Sequence, residues 1–223
     1  MAESSRAGRQ LLPRSERQAS ILQAAARAFA RTGYATTTMD DVAAEAGISR
    51  LIVYRHFGSK EELYRAVLEQ VRGRIRERMN PALEEPKAGE YPFRPLIEVA
   101  REYPDAFRLL FLHATREPQF AEYARESRAG GVRLAEDIIG DIVGDTISDT
   151  VMRTWATHAM VGYIFEALQA WLEVGDPDRD DEFVRRATFG AVAVFSVLTG
   201  IAQPDVSPEL SNEFPGDGSV LEG

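Results

Sequence analysis

Apolar residues recur at helical spacing along most of the chain, and no stretch of useful length alternates apolar with polar residues as a half-buried strand would. Residues 15–32 (SERQASILQAAARAFART) place Ile21, Leu22, Ala25, Ala28 and Phe29 on one stripe. Ser15 and Gln18 stand at capping-box spacing at its start, and Gly33 ends it. Thr38, with Asp41 following, opens a short helix that Gly47 closes as a left-handed cap. Ser49 can cap a second short helix, RLIVYRH, and Ser59 with Glu62 opens a longer one that runs to Pro81. Residues 81–94, rich in Pro, Glu and Gly, read as a loop or linker. Helices resume over 95–103, 104–115 and 118–139, divided by Pro104 and Pro118, with Gly130 and Gly131 predicting a kink or break in the last of them.

Residues 150–174 and 181–199 are different, because both segments are apolar around most of the helix circumference. A helix without a polar face must be covered on both sides. A second copy of the same pair is the simplest cover, giving a four-helix interface in a symmetric dimer. Met160, Ile164, Leu168, Trp171, Phe189, Val192 and Val197 are the candidate interface residues. The alternative is that both are central core helices of a monomer. Residues 1–13 and 203–223 carry Pro, Gly, Ser and charge with little apolar periodicity, which predicts disordered ends.

Charge then changes the picture. The net charge of -9 disfavours a nucleic-acid binder, yet residues 1–65 hold ten Arg or Lys against seven Asp or Glu, leaving sixteen against twenty-eight in the remainder. The N-terminal part is basic and the rest acidic. The absence of cysteine excludes disulfides, thiolate nucleophiles and cysteine metal sites. No apolar stretch of signal-peptide length opens the chain, and the longest apolar run, near residues 191–202, is too short to span a bilayer. A cytoplasmic protein without a membrane partner is expected.

Two short helices joined by AGIS and preceded by another helix form the pattern of a helix-turn-helix unit, whose second short helix enters the major groove. In RLIVYRHF, Val53 and Phe57 fall on the core side together with Ile48, while Leu51 and Arg55 lie roughly opposite, flanked by Arg50, Ile52 and Tyr54. Duplex DNA suits that apolar and basic mixture. Arg50 and Arg55 can reach guanine edges, Leu51 and Ile52 can touch thymine methyls, and Tyr54, His56 and Lys60 can donate to phosphate oxygens. Ser49 at the turn joins this set.

Thr38-Met-Asp-Asp-Val42-Ala43, Ala46-Gly47-Ile48-Ser49, Val53-Tyr54-Arg55-His56-Phe57 and Lys60-Glu-Glu-Leu63 resemble the DNA-binding domain of the TetR family of bacterial transcriptional regulators. Phe29-Ala-Arg-Thr-Gly33-Tyr34 and Thr37-Thr38 fit as well, and the resemblance spans about residues 15–68. It implies an all-α protein with an N-terminal three-helix DNA-binding domain and a larger C-terminal helical domain for ligand binding and dimerisation. It also implies that Thr38, Tyr54, His56 and Lys60 contact the phosphate backbone while Arg50, Leu51, Ile52 and Arg55 face the bases. Leu51 and Ile52 stand where the family often has Gly and Thr or Ser, which points to some apolar readout, the alternative being that Leu51 simply packs on its own helix. The resulting division is an arm over 1–14, a DNA-binding domain over 15–65, a regulatory and dimerisation domain over 66–202 and a tail over 203–223.

The resemblance further implies an apolar effector pocket, for which Phe107, Phe111, Trp155, His158 and Tyr163 are the candidates. An ordinary aromatic core is the plainer reading of the same residues, and His113 and His158 read as core histidines rather than metal ligands. No metal or cofactor is expected. Arg6, Arg9 and Arg14 can form a minor-groove arm or be a flexible tail. The function these features support is a homodimeric repressor bound to a palindromic operator and released by a small apolar or amphipathic ligand. Control by a protein partner is the alternative, and a small helical enzyme is a remote one, because no nucleophile, paired carboxylates or metal cluster stands out.

Overall fold

A computed structural model of the chain describes residues 13–84, 92–143 and 146–201, and every regular element among them is helical. In chain order these are α1 (Arg14–Thr36), α2 (Met39–Glu45), α3 (Arg50–His56), α4 (Lys60–Glu84), α5 (Phe93–Glu102), α6 (Pro104–Arg108), α7 (Ala121–Val143), α8 (Thr150–Val174) and α9 (Asp180–Thr199). Helix α6 continues into a π-helical turn at Leu109–His113 and a 3-10 turn at Ala114–Arg116. No described helix is long and apolar enough to cross a membrane. Arg6, Arg9, the expected C-terminal tail over 203–223 and residues 85–91 of the expected loop lie outside the described residues.

Local expectations are modified at several points. Helix α1 begins after Pro13, whose carbonyl accepts from the Arg17 N–H at 2.9 Å, so Ser15 lies inside the first turn and does not cap it. Helix α4 continues past Pro81 to Glu84. Gly130 and Gly131 do not break α7. Glycine weakens a helix without ending it, and the Phe165 ring lies 3.8 Å from where a Gly131 Cβ would stand.

The chain forms two compact units. Among the described residues the first comprises 13–74 and Glu102–Ala124, so it runs into α4 and recruits a second segment. The reason is aromatic packing. Tyr64 is fully buried against Phe29 at 4.9 Å and 79° and against Phe120 at 4.3 Å, and Tyr34 meets Tyr64 at 5.1 Å and Phe120 at 5.0 Å. Edge-on aromatic pairs of this kind add to the stabilisation from burial. Ile21, Val42, Val53 and Leu63 complete the floor under the short helices with no exposed surface.

In the second unit α8 and α9 pack along each other, with Leu168 and Val184 fully buried. Arg101 of α5 makes a forked ion pair with Asp180 at 3.0 and 2.9 Å, and Trp171 Nε1 donates to the same carboxylate at 2.6 Å. Burial pushes the Asp180 carboxyl up, but the Arg101 and Trp171 hydrogen bonds outweigh it and hold the group below the usual carboxylate range.

Candidate nucleic-acid interface

The helix-turn-helix is built by local capping. Asp41 N–H donates to Thr38 Oγ1 at 3.2 Å, and Thr38 N–H donates back to Asp41 Oδ2 at 2.8 Å. This reciprocal pair satisfies two of the N–H groups at the start of α2, and the hydrogen bonds from the Thr38 side chain and backbone hold the Asp41 carboxyl below its ordinary range. Gly47 then turns the chain at φ 63°, a left-handed conformation that glycine adopts without a Cβ penalty. Ser49 precedes α3 without a side-chain capping bond. Glu45 fastens α2 to α1 by accepting from Arg27 at 2.8 Å and Arg31 at 3.0 Å, and these bonds lower its carboxyl pKa.

This frame fixes which way α3 faces. Val53 is fully buried and Phe57 nearly so, whereas Leu51 is 62% exposed and Arg50, Tyr54 and Arg55 are exposed beside it. Ile52 and His56 are half-buried. Arg50 donates to Asp40 at 2.9 Å and to the Tyr54 hydroxyl at 3.3 Å, with its guanidinium 5.1 Å from the centre of the Tyr54 ring. Partial burial and the nearby charges of Arg14 and Arg17 lower the His56 pKa below the ordinary histidine value. Neither arginine was singled out with the recognition helix in the sequence. Both lie in the first turn of α1, and only the fold lets their charges act on His56.

Lys60, expected as a phosphate donor, is held by backbone carbonyls in this structure. Its Nζ donates to the Tyr34 carbonyl at 2.8 Å and the Ala35 carbonyl at 3.3 Å, and sits 4.5 Å from the centre of the Tyr34 ring. It therefore ties the end of α1 to the start of α4. Lys60→Met is expected to cost about 1 kcal/mol of stability by leaving these carbonyls without their charged donor, read as a lower denaturation midpoint. DNA affinity is expected to fall equally on all sequences.

Residues 21–67 match the family model described as bacterial regulatory proteins, tetR family. By this match residues 21–67 are similar to the DNA-binding domain of TetR-family regulators. It is 34% identical over 115 residues to the HTH-type transcriptional activator FasR of Mycolicibacterium smegmatis, a match covering 49% of this chain and 52% of FasR. The chain thus spans about half the length of that curated relative. A TetR-like transcriptional regulator from Rhodococcus sp. RHA1 has a similar fold, with a TM-score of 0.63 and 22% identity over 82% of this chain and 99% of that one. The transcriptional regulator FadR from Bacillus subtilis, solved in complex with stearoyl-CoA, aligns with a TM-score of 0.61 and 16% identity over 82% of this chain and 98% of FadR.

The remaining candidates fall in both units. Phe107 is buried and pairs with the half-buried Phe111 at 4.5 Å in the first unit. Trp155 and His158 are exposed and Tyr163 is half-buried in the second unit, where Tyr163 meets Phe93 edge-on at 6.4 Å. Among the interface candidates, Ile164 and Leu168 face inward and are buried within the single chain, so they have little surface to offer a second copy. Met160 packs on Ile139, Ile147, Ala156 and Phe195. Trp171 stacks on Phe183 at 4.9 Å and 5°. Phe189 and Val192 are half-buried, and Val197 is 77% exposed. Val151, Met152 and Val174 of α8 are exposed large apolar residues outside the expected set. Periodicity could not choose them, because α8 has no polar stripe to mark an outer face.

Proposed function

We propose that this chain is a sequence-specific DNA-binding transcriptional repressor that acts as a homodimer and is released by a small apolar or amphipathic ligand. The observation that carries the DNA part is the division of α3, where Val53 and Phe57 are buried while Leu51, Tyr54, Arg50 and Arg55 stand at the surface. An isolated monomer gains nothing by exposing that mixture, whereas a major groove offers methyl groups, guanine edges and phosphates to it. Exposed Trp155, Val151 and Val174 on α8 and Val197 on α9 support self-association through these helices. In such a dimer the recognition helices meet successive major grooves about 34 Å apart, and a ligand acts by shifting the population away from that spacing. The ligand part draws on the family resemblance and on the stearoyl-CoA complex of FadR.

The test is a DNA shift assay on the intergenic region beside the gene, run across salt. Specific retardation with a steep salt slope is expected, and no specific retardation at low salt would sink the reading. Arg50→Ala is expected to relax base preference at one operator position by about 1–3 kcal/mol. An equal loss on operator and random duplex would instead make Arg50 a backbone contact. Its ion pair with Asp40 is exposed, and solvent screening leaves such a surface pair weak.

A further inference from the structure

The junction of α1 with α4 is closed by a turn at residues 117–120, far along the chain from both helices. The Glu117 carbonyl accepts from the N–H groups of Phe120 and Ala121, each at 2.9 Å, and the turn sets the Phe120 ring 4.3 Å from Tyr64 and 5.0 Å from Tyr34. Gln119 of the same turn hydrogen-bonds the Tyr34 side chain. Polar groups around the junction find partners: Lys60 donates to the Tyr34 and Ala35 carbonyls, and the buried Thr37 hydroxyl donates to the Gly33 carbonyl at 2.6 Å. Tyr64 is different. Its side chain is fully buried, with the rings of Phe29, Tyr34 and Phe120 at 4.9, 5.1 and 4.3 Å, and its hydroxyl makes no hydrogen bond among the described residues. Burial accordingly raises the Tyr64 pKa above the ordinary tyrosine value. A buried hydroxyl without a partner forfeits the bond it makes in water. Phenylalanine would fill the same space without that cost, so the oxygen weakens the closed junction relative to any state in which water reaches it.

We propose that residues 117–120 form a latch on the DNA-binding helices, and that the Tyr64 hydroxyl keeps this latch poised to open. In the closed state Phe120 covers the hydroxyl and braces the end of α1 against α4. When the turn lifts, water bonds the hydroxyl, so opening recovers part of what exposing the aromatic rings costs. Glu45 fastens α2 to α1 through Arg27 and Arg31, so loosening α1 also loosens the helix-turn-helix. The closed latch is therefore the state that holds α2 and α3 ready for DNA, a consequence that rests on the DNA-binding function proposed above.

The test uses the full chain, with chemical denaturation, native-state hydrogen exchange, and fluorescence anisotropy on a duplex that the protein selects from a random library. Tyr64→Phe is expected to raise the denaturation midpoint and to slow exchange about tenfold in residues 114–124 and at the facing ends of α1 and α4. Its DNA affinity should equal or exceed that of the wild type. Gln119→Ala, at an exposed position, removes the bond to Tyr34 without opening a core cavity. It is expected to act in the opposite sense, with faster exchange in the same segments, unchanged exchange in α8 and α9, and weaker DNA binding. A lower midpoint or unchanged exchange in Tyr64→Phe would overturn the latch, as would exchange in Gln119→Ala no faster than in the wild type. Failure of the wild type to bind any duplex at low salt would remove the DNA-binding function, while the exchange results would still decide whether the latch exists. Unchanged circular dichroism in both variants separates these outcomes from misfolding.

Discussion

Phe120→Ala is expected to destabilise the first unit by about 3–5 kcal/mol, a large part of the total stability of an ordinary domain. The ring is fully buried, lies 4.3 Å from Tyr64 and 5.0 Å from Tyr34, and carries the Arg65 guanidinium 5.8 Å from its centre. Its removal leaves a cavity among side chains that cannot all collapse into it, so the cost exceeds simple transfer of the ring to water. Chemical denaturation followed by hydrogen exchange in α1 and α4 measures the effect. Faster exchange should appear in both helices, and operator binding should weaken although position 120 is far in sequence from the recognition helix. A loss below about 1 kcal/mol would mean that residues 102–124 are not part of the first unit's core.

Gly33→Ala and Gly73→Ala are expected to change stability in opposite directions. Gly33 has φ 81° and ψ 163°, a conformation open almost exclusively to glycine, so a Cβ there costs about 1–3 kcal/mol. No atom lies within 4 Å of the added carbon, and the cost is therefore conformational rather than steric crowding. Gly73 lies within α4 with equally open surroundings, and alanine there should stabilise by about 0.5–1 kcal/mol. Thermal melts of the two variants give the comparison, and like signs would refute the assignment of strain to position 33. The Gly33 carbonyl also accepts from Thr37 N–H at 3.2 Å and Thr37 Oγ1 at 2.6 Å. Strain at Gly33 is thereby passed to the start of α2, and weaker DNA binding should accompany the loss of stability.

The DNA-binding element was legible because its information is local. Thr38 and Asp41, Gly47, and Ser59 with Glu62 are contacts within a few residues, and each one forms. The spacing of Val53 and Phe57 selected the buried side of α3 for the same reason, since a helix repeats every 3.6 residues wherever it sits. Lys60 shows what such reading leaves out. Its ammonium also bonds the Tyr34 and Ala35 carbonyls, across a turn and two helices, which no local spacing announces.

By itself, then, the sequence determined the helical class, the helix-turn-helix with its inner and outer residues, and the basic bias of its N-terminal part. The tertiary structure decided that Phe120 joins the core around Tyr64 and that Ile164 and Leu168 turn inward. It also set the charges of Arg14 and Arg17 to act on His56. The physical reason is the range of the interactions. Caps, turns and helix faces are set by neighbours along the chain, whereas burial of a helix without a polar stripe and the meeting of charges from α1 and α3 depend on how separate helices pack.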